Sequence, residues 1–200
     1  MKTIIMDTSN EYLVVALYEN DICLQKIQEL GNKKQSEFAI MYLQRILQES
    51  NLTMLDIDQM VITNGPGSYT GVRVAMTIAK TLAVTTNIRI KVVSSLMAYA
   101  GAKKAISVLD ARSKKVYVGV YENNKPVIEE QLVDIVDFEN YISMYSGFEI
   151  VGNGGIVNRE THKVDLAENI FQLSKGIDVV KNIDALVPHY IKKVEAKKLC

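Results

Sequence analysis

Two aspartates and one glycine-rich loop are the groups whose type and spacing could do chemistry. Asp7 and Asp110 each end a short apolar run and open a polar turn, Thr8-Ser9-Asn10 in one case and Ala111-Arg112-Ser113 in the other. A carboxylate at such a strand end can meet a metal–phosphate complex, or it can cap its own turn. The loop Asn64-Gly65-Pro66-Gly67-Ser68-Tyr69-Thr70-Gly71 follows a strand-like run and precedes a helical pattern. Backbone N–H groups of a helix start behind such a loop form an anion site, so Gly65, Gly67, Ser68, Thr70 and Gly71 are candidate phosphate contacts. A structural turn is the other reading. Thr70 can cap the helix, or Ser68 if the helix starts earlier. Asn153-Gly154-Gly155 repeats the feature later in the chain and joins Asp7 in the candidate nucleotide set.

Other chemistries are poorly supplied. A phosphate-binding P-loop needs Lys after its last Gly, and here Val72 follows Gly71. Ser68 stands one place too early for a nucleophile elbow. His162 and His189 are far apart and lack metal-ligand spacing, so both read as surface residues and no metal ligand is assigned. Cys23 reads as a small core residue of a strand, and Cys200 is terminal. No Ser/His/Asp or Cys/His arrangement assembles, so no catalytic residue is assigned.

The elements that must hold these groups alternate strand and helix. Strands are expected over 3–7, 13–18 and 22–30, the last with Ile22, Leu24 and Ile27 facing inward. A helix starts at Ser36 or Glu37 and runs to about Ser50. A strand over 59–63, a helix over 72–85, a strand over 90–93 and a helix from Ser95 to Ala102 follow. The second half restarts the first. At a constant offset Asp110 falls on Asp7, Val118 on Val15, and Tyr121-Glu122-Asn123 on Tyr18-Glu19-Asn20. A helix near 137–146 and a strand over 149–152 continue the parallel. Such a repeat predicts an α/β protein of two lobes on one plan, each a mixed sheet flanked by helices, of the actin or ribonuclease-H type. The lobes are expected over 1–103 and 104–200.

Composition narrows the class. With 48% hydrophobic residues and no net charge, the chain is neither disordered nor a basic nucleic-acid binder. No apolar run reaches the roughly 18 residues that span a bilayer, and the start reads as a strand, not a signal peptide. A cytoplasmic location is the expectation. The segments 36–50 and 71–87 are apolar nearly all round, wider than the arc one sheet can cover. That excess marks a partner interface, with Phe38, Met41, Tyr42, Arg73, Met76 and Lys80 as candidate contacts.

Ile5-Met6-Asp7-Thr8-Ser9, the block Asn64 to Arg73, Val93-Ser94-Ser95-Leu96, Leu109-Asp110-Ala111-Arg112 and Pro188-His189-Tyr190 together resemble the TsaB (YeaZ) family of bacterial tRNA threonylcarbamoyladenosine biosynthesis proteins. The block is the specific signal; the others are weak singly but fall in the right order. The resemblance implies an actin-like (ASKHA) fold. It implies a non-catalytic subunit that pairs with the transferase TsaD through first-lobe helices and is joined by the ATPase TsaE. The apolar helix face is expected to take a second copy of the chain when TsaD is absent, and tRNA is expected to be met only through the complex. No cofactor is implied beyond weak nucleotide binding. Gln35 stands where many members carry His, and the second lobe is short for the family. The alternative is a weak ATP-dependent enzyme of the same fold, or a hydrolase.

Overall fold

The computed structural model describes residues 1–31 and 35–191. The side chain of Gln35, the basic run after Ile191 and Cys200 lie outside the described residues. Two sheets form the frame. The first holds β1 (Lys2–Asp7), β2 (Tyr12–Glu19), β3 (Ile22–Leu30), β4 (Gln59–Thr63) and β5 (Arg89–Val93) in the order β3-β2-β1-β4-β5. The second holds β6 (Ala105–Asp110), β7 (Lys115–Glu122), β8 (Lys125–Asp134) and β9 (Glu149–Gly152) in the order β8-β7-β6-β9.

The repeat read from the sequence is a repeat of pairing. β1 and β2 run antiparallel and β1 and β4 parallel; β6, β7 and β9 reproduce this. Asn20 and Asn123, aligned by the offset, both turn the next hairpin in the left-handed region, at φ 53° and 52°. Asn tolerates that conformation better than most residues. The fold is therefore the expected α/β actin-like plan.

Alternation along the strands builds three apolar layers. Ile4, Met6, Leu13, Val15, Met60 and Ile62 face α1 (Gln35–Glu49) and α2 (Tyr69–Thr86). Ile5, Val14, Ala16, Tyr18 and Val61 face the middle of the molecule, against α3 (Ser95–Ala100) and α5 (Leu166–Ser174). Ile106, Val108 and Val118 face outward against Phe138 of α4 (Phe138–Ile142). Lobe and chain position diverge here. The sheets divide between 93 and 105, but α3 packs on β6 and β7, while α5 packs on β4 and β5. Tyr18 and Phe171 stack with centroids 4.0 Å apart, fixing α5 to the first sheet.

Past α5 the chain returns over the first lobe as a strap. Val180, Ile183 and Leu186 join its outer core, and Val180 N–H donates to the Ile90 carbonyl at the open edge of β5. Sequence periodicity gave no sign of this segment. Three expectations are corrected at β3. Among the described residues it is an outermost strand of its sheet, and Ile22, Cys23 and Leu24 are exposed; of the three residues expected inward only Ile27 packs against the core. The expected helix near 137–146 is shorter, five residues of α helix behind a 3-10 turn.

Candidate functional site

The carboxylate hairpin and the glycine loop do meet, and each fills the other. Asp7 is only 1% exposed. Its Oδ1 accepts from the Ser9 N–H at 2.7 Å and from the Thr63 hydroxyl. Thr8 Oγ1 donates to the Gly71 carbonyl at 2.6 Å and accepts from the Ala75 N–H at 3.2 Å, so the turn is stitched into the first turn of α2. Ser68 N–H donates to the Ser9 carbonyl at 2.7 Å, and the Ser95 hydroxyl donates to Ser9 Oγ at 2.9 Å. Ser68, not Thr70, caps α2 by accepting from Gly71 N–H. A Cβ on Gly67 would stand 2.3 Å from the Ser9 carbonyl oxygen, and one on Gly71 2.0 Å from that of Thr8. The glycines are required for backbone-to-backbone contact, which leaves no room for a phosphate between hairpin and loop.

The second hairpin is closed in its own way. Asp110 Oδ1 accepts from the Arg112 N–H at 2.7 Å, and its Oδ2 pairs with the Arg112 guanidinium at 2.9 Å, the arrangement of a turn cap. Asn153 Oδ1 accepts from the Asp110 N–H at 3.1 Å, and the Asn153 side chain also bonds Glu11 in the first hairpin. Gly154 is buried and Gly155 exposed beside it. Asn153 thus ties the two hairpin turns together across the lobes. Between the lobes lies a cavity of about 220 Å³ lined by Glu11, Tyr12, Tyr99, Gly152 and residues 161–164. That is below the about 300–1,000 Å³ of typical ligand pockets. No group of three metal-ligating side chains occurs among the described residues.

Burial pushes the Asp7 carboxyl above the ordinary carboxylate range, against its hydrogen bonds from Ser9 and Thr63. The folded state therefore holds this proton more tightly than the unfolded chain. Its contribution to stability is present below the unfolded value and is lost as pH rises through the raised, folded one. Asp7→Asn keeps an acceptor for Ser9 and Thr63 without the charge. In urea unfolding, its stability relative to wild type is expected to rise from pH 4 to pH 7; a difference independent of pH would show that Asp7 ionises freely.

The helix residues divide. Met41 is 57% exposed; Phe38 and Tyr42 are half-buried, their rings 5.9 Å apart. Arg73 is exposed with its guanidinium 3.7 Å above the Tyr69 ring. Met76 is corrected: it is buried with Ala75 and Ala79 in the outer core and offers no surface. Lys80 donates to the Asp184 carbonyl at 3.1 Å, so it holds the strap. The strap also covers part of the apolar excess that the sequence assigned to a partner. The open ridge of α2 is Thr70, Arg73, Thr77, Thr81 and Val84, with Ile40 and Met41 open on α1. Spacing by three and four was the available signal, masked by the apolar residues between. No helix among the described residues is long and apolar enough to cross a membrane.

Comparison with known proteins places this geometry. The family described as "TsaD: tRNA N6-adenosine threonylcarbamoyltransferase" matches residues 28–197. The tRNA threonylcarbamoyladenosine biosynthesis protein TsaB of Bacillus subtilis is 33% identical over 67% of the chain, and the match spans 61% of that relative's length. TsaB of Haemophilus influenzae is 32% identical over 97% of the chain and 90% of its own. A crystal structure from Pseudomonas aeruginosa, of an uncharacterized protein with similarity to peptidase YEAZ, superposes with a TM-score of 0.81. It is 21% identical, over 96% of this chain and 99% of that one, and shows the fold.

Proposed function

We propose a function from the premise that this chain belongs to the TsaB (YeaZ) family of tRNA threonylcarbamoyladenosine biosynthesis proteins. The chain takes part in installing threonylcarbamoyl on the adenosine next to the anticodon of tRNAs that read codons starting with A. It does so as a partner of a TsaD-type transferase and performs no chemistry itself. TsaE joins that pair, tRNA is met through the complex, and without the transferase the chain pairs with a second copy.

The observation that carries the non-catalytic reading is the closed hairpin. In an actin-like enzyme the two hairpin turns must open onto a phosphate. Here Asp7 is buried, the loop at 65–71 lies on Ser9 and Thr8, and Asn153 ties the turns together. What remains outside is the ridge on α2, charged only at Arg73, beside Ile40 and Met41 of α1. Two such helices suit packing against a helical partner at the usual 8–10 Å spacing. The purified chain with ATP and magnesium is expected to release no more phosphate than a blank. Sustained turnover that Asp7→Asn abolishes would instead make it an enzyme.

A further inference from the structure

Three segments far apart in the sequence meet on one carboxylate. Glu130 stands on β8, an outermost strand of the second sheet, with its side chain 12% exposed. Its Oε1 accepts from the Tyr121 hydroxyl of β7 at 2.8 Å and from the Ser94 hydroxyl in the link between the sheets. Its Oε2 is shut off from water and has no hydrogen-bond partner among the described residues. His189 on the strap places its Nε2 3.3 Å from that oxygen, within ion-pair reach of a protonated ring. The same segments hold the loop that launches α2. Ser95 N–H, next to Ser94, donates to the Gly65 carbonyl at 2.8 Å, and His189 N–H donates to the Asn64 carbonyl at 2.8 Å. Gly65 has φ 105°, and a Cβ there would stand 2.8 Å from the His189 carbonyl oxygen, so strap and loop touch main chain to main chain. Adjacent carbonyls of one loop are thus each gripped by a residue tied to Glu130, His189 directly and Ser95 through Ser94.

We propose that Glu130 is a positioning residue: from the second lobe it fixes the loop at 64–65 and with it the start of the α2 ridge. It thereby sets the face on which, resting on the function proposed above, the transferase docks. A buried carboxylate is stable only where donors and positive charge surround it, and bonds to it are stronger than bonds between neutral groups. Glu130 therefore draws Ser94 and His189 toward one point, and their main chains hold the loop between them. The helix follows by direct connection: Ser68, three residues after Gly65, caps α2, and Thr70 and Arg73 open the ridge. A role confined to the second lobe needs only the Tyr121 bond, which ties β7 to β8. The Ser94 bond and the approach of His189 reach beyond that lobe, and such a role leaves them unexplained. The second lobe thereby has a task in a chain that performs no chemistry: it holds the partner face in shape.

The test begins with the full chain without the transferase, so the clasp and the partner role can fail separately. Amide hydrogen exchange is followed by NMR at the Ser95 and His189 N–H groups. Glu130→Ala is expected to speed exchange at both about tenfold. The Val180 N–H, bonded to Ile90 farther up the strap, should stay as in wild type. Glu130→Gln keeps an acceptor for Ser94 and Tyr121 without the charge, so only the His189 amide should loosen; this variant carries the test should Glu130→Ala fail to fold. Wild-type exchange at His189 in Glu130→Gln, or loosening spread evenly over the second sheet, would overturn the assignment. Calorimetry with the transferase follows, where the folded Glu130 variant is expected to bind about fivefold more weakly or worse. Loss of binding by Met41→Glu beside wild-type binding by the Glu130 variant would also overturn it. If neither variant changes affinity, the partner face is misplaced and the exchange rates alone decide the clasp.

Discussion

Gly71→Val is expected to yield little or no folded protein, and Gly67→Val is expected to follow it closely. The reason is contact between main chains. A Cβ at 71 would sit 2.0 Å from the Thr8 carbonyl oxygen, and one at 67 would sit 2.3 Å from that of Ser9. Neither obstacle is a side chain that can swing away. Relief requires the β1–β2 turn to part from α2, which breaks the Thr8 bonds to Gly71 and Ala75 and the Ser68 bond to Ser9. Each buried polar group left unpaired costs about 1–3 kcal/mol. The sum rivals the whole stability of a domain, which is about 5–15 kcal/mol. Gly71→Ala, with a single added carbon, should already lower the melting temperature by about 10 °C or more. Cooperative melting of Gly71→Val near the wild-type temperature would show that the loop does not lie on the hairpin as described.

The second large effect is expected at the open helix face. Met41→Glu and Thr77→Glu change exposed side chains, so each should melt within a degree or two of wild type. In a complex that buries this face the added carboxylate is desolvated and unpaired. That costs about 3 kcal/mol, or roughly a hundredfold in affinity for the transferase. Self-association should weaken in parallel, on the proposal that the same face takes both the transferase and a second copy. Titration calorimetry with the transferase and sedimentation of the chain alone check the two halves. Met76→Glu belongs to a different class, since Met76 is buried in the outer core and its replacement should unfold the lobe. Variants with wild-type affinity at both 41 and 77 would move the interface off these helices.

Much of the fold was legible because its information is local. The apolar runs ending at Asp7 and Asp110, the Asn at each following turn and the glycine loop before a helix are short-range signals, and the repeat doubled them. The loop's partner was not legible. That Gly67 and Gly71 serve the Thr8–Ser9 turn is a contact between residues some sixty positions apart, and the sequence left phosphate binding and a structural turn both open. The strap and the crossing of α3 and α5 between sheets were hidden for the same reason. Val180, Ile183 and Leu186 carry no helix or strand period, and their burial depends on where α5 delivers the chain. At β3, alternation suggested which residues face a sheet surface, but not that the strand is outermost with Ile22 and Leu24 left in solvent. On α2, counting apolar residues gave the width of the apolar surface without dividing it among core, strap and open ridge. Only the packing puts Met76 in the core and Thr77 on the open ridge.

On the proposed function this chain acts through a partner and not through a site of its own. A reconstituted transfer of threonylcarbamoyl to a substrate tRNA, with the TsaD-type transferase and TsaE present and this chain titrated in, tests it most directly. Product formation is expected to depend on the chain, to saturate near one copy per transferase, and to be supported equally well by Asp7→Asn. Equal product without the chain, or product that the chain makes without the transferase, would contradict the account.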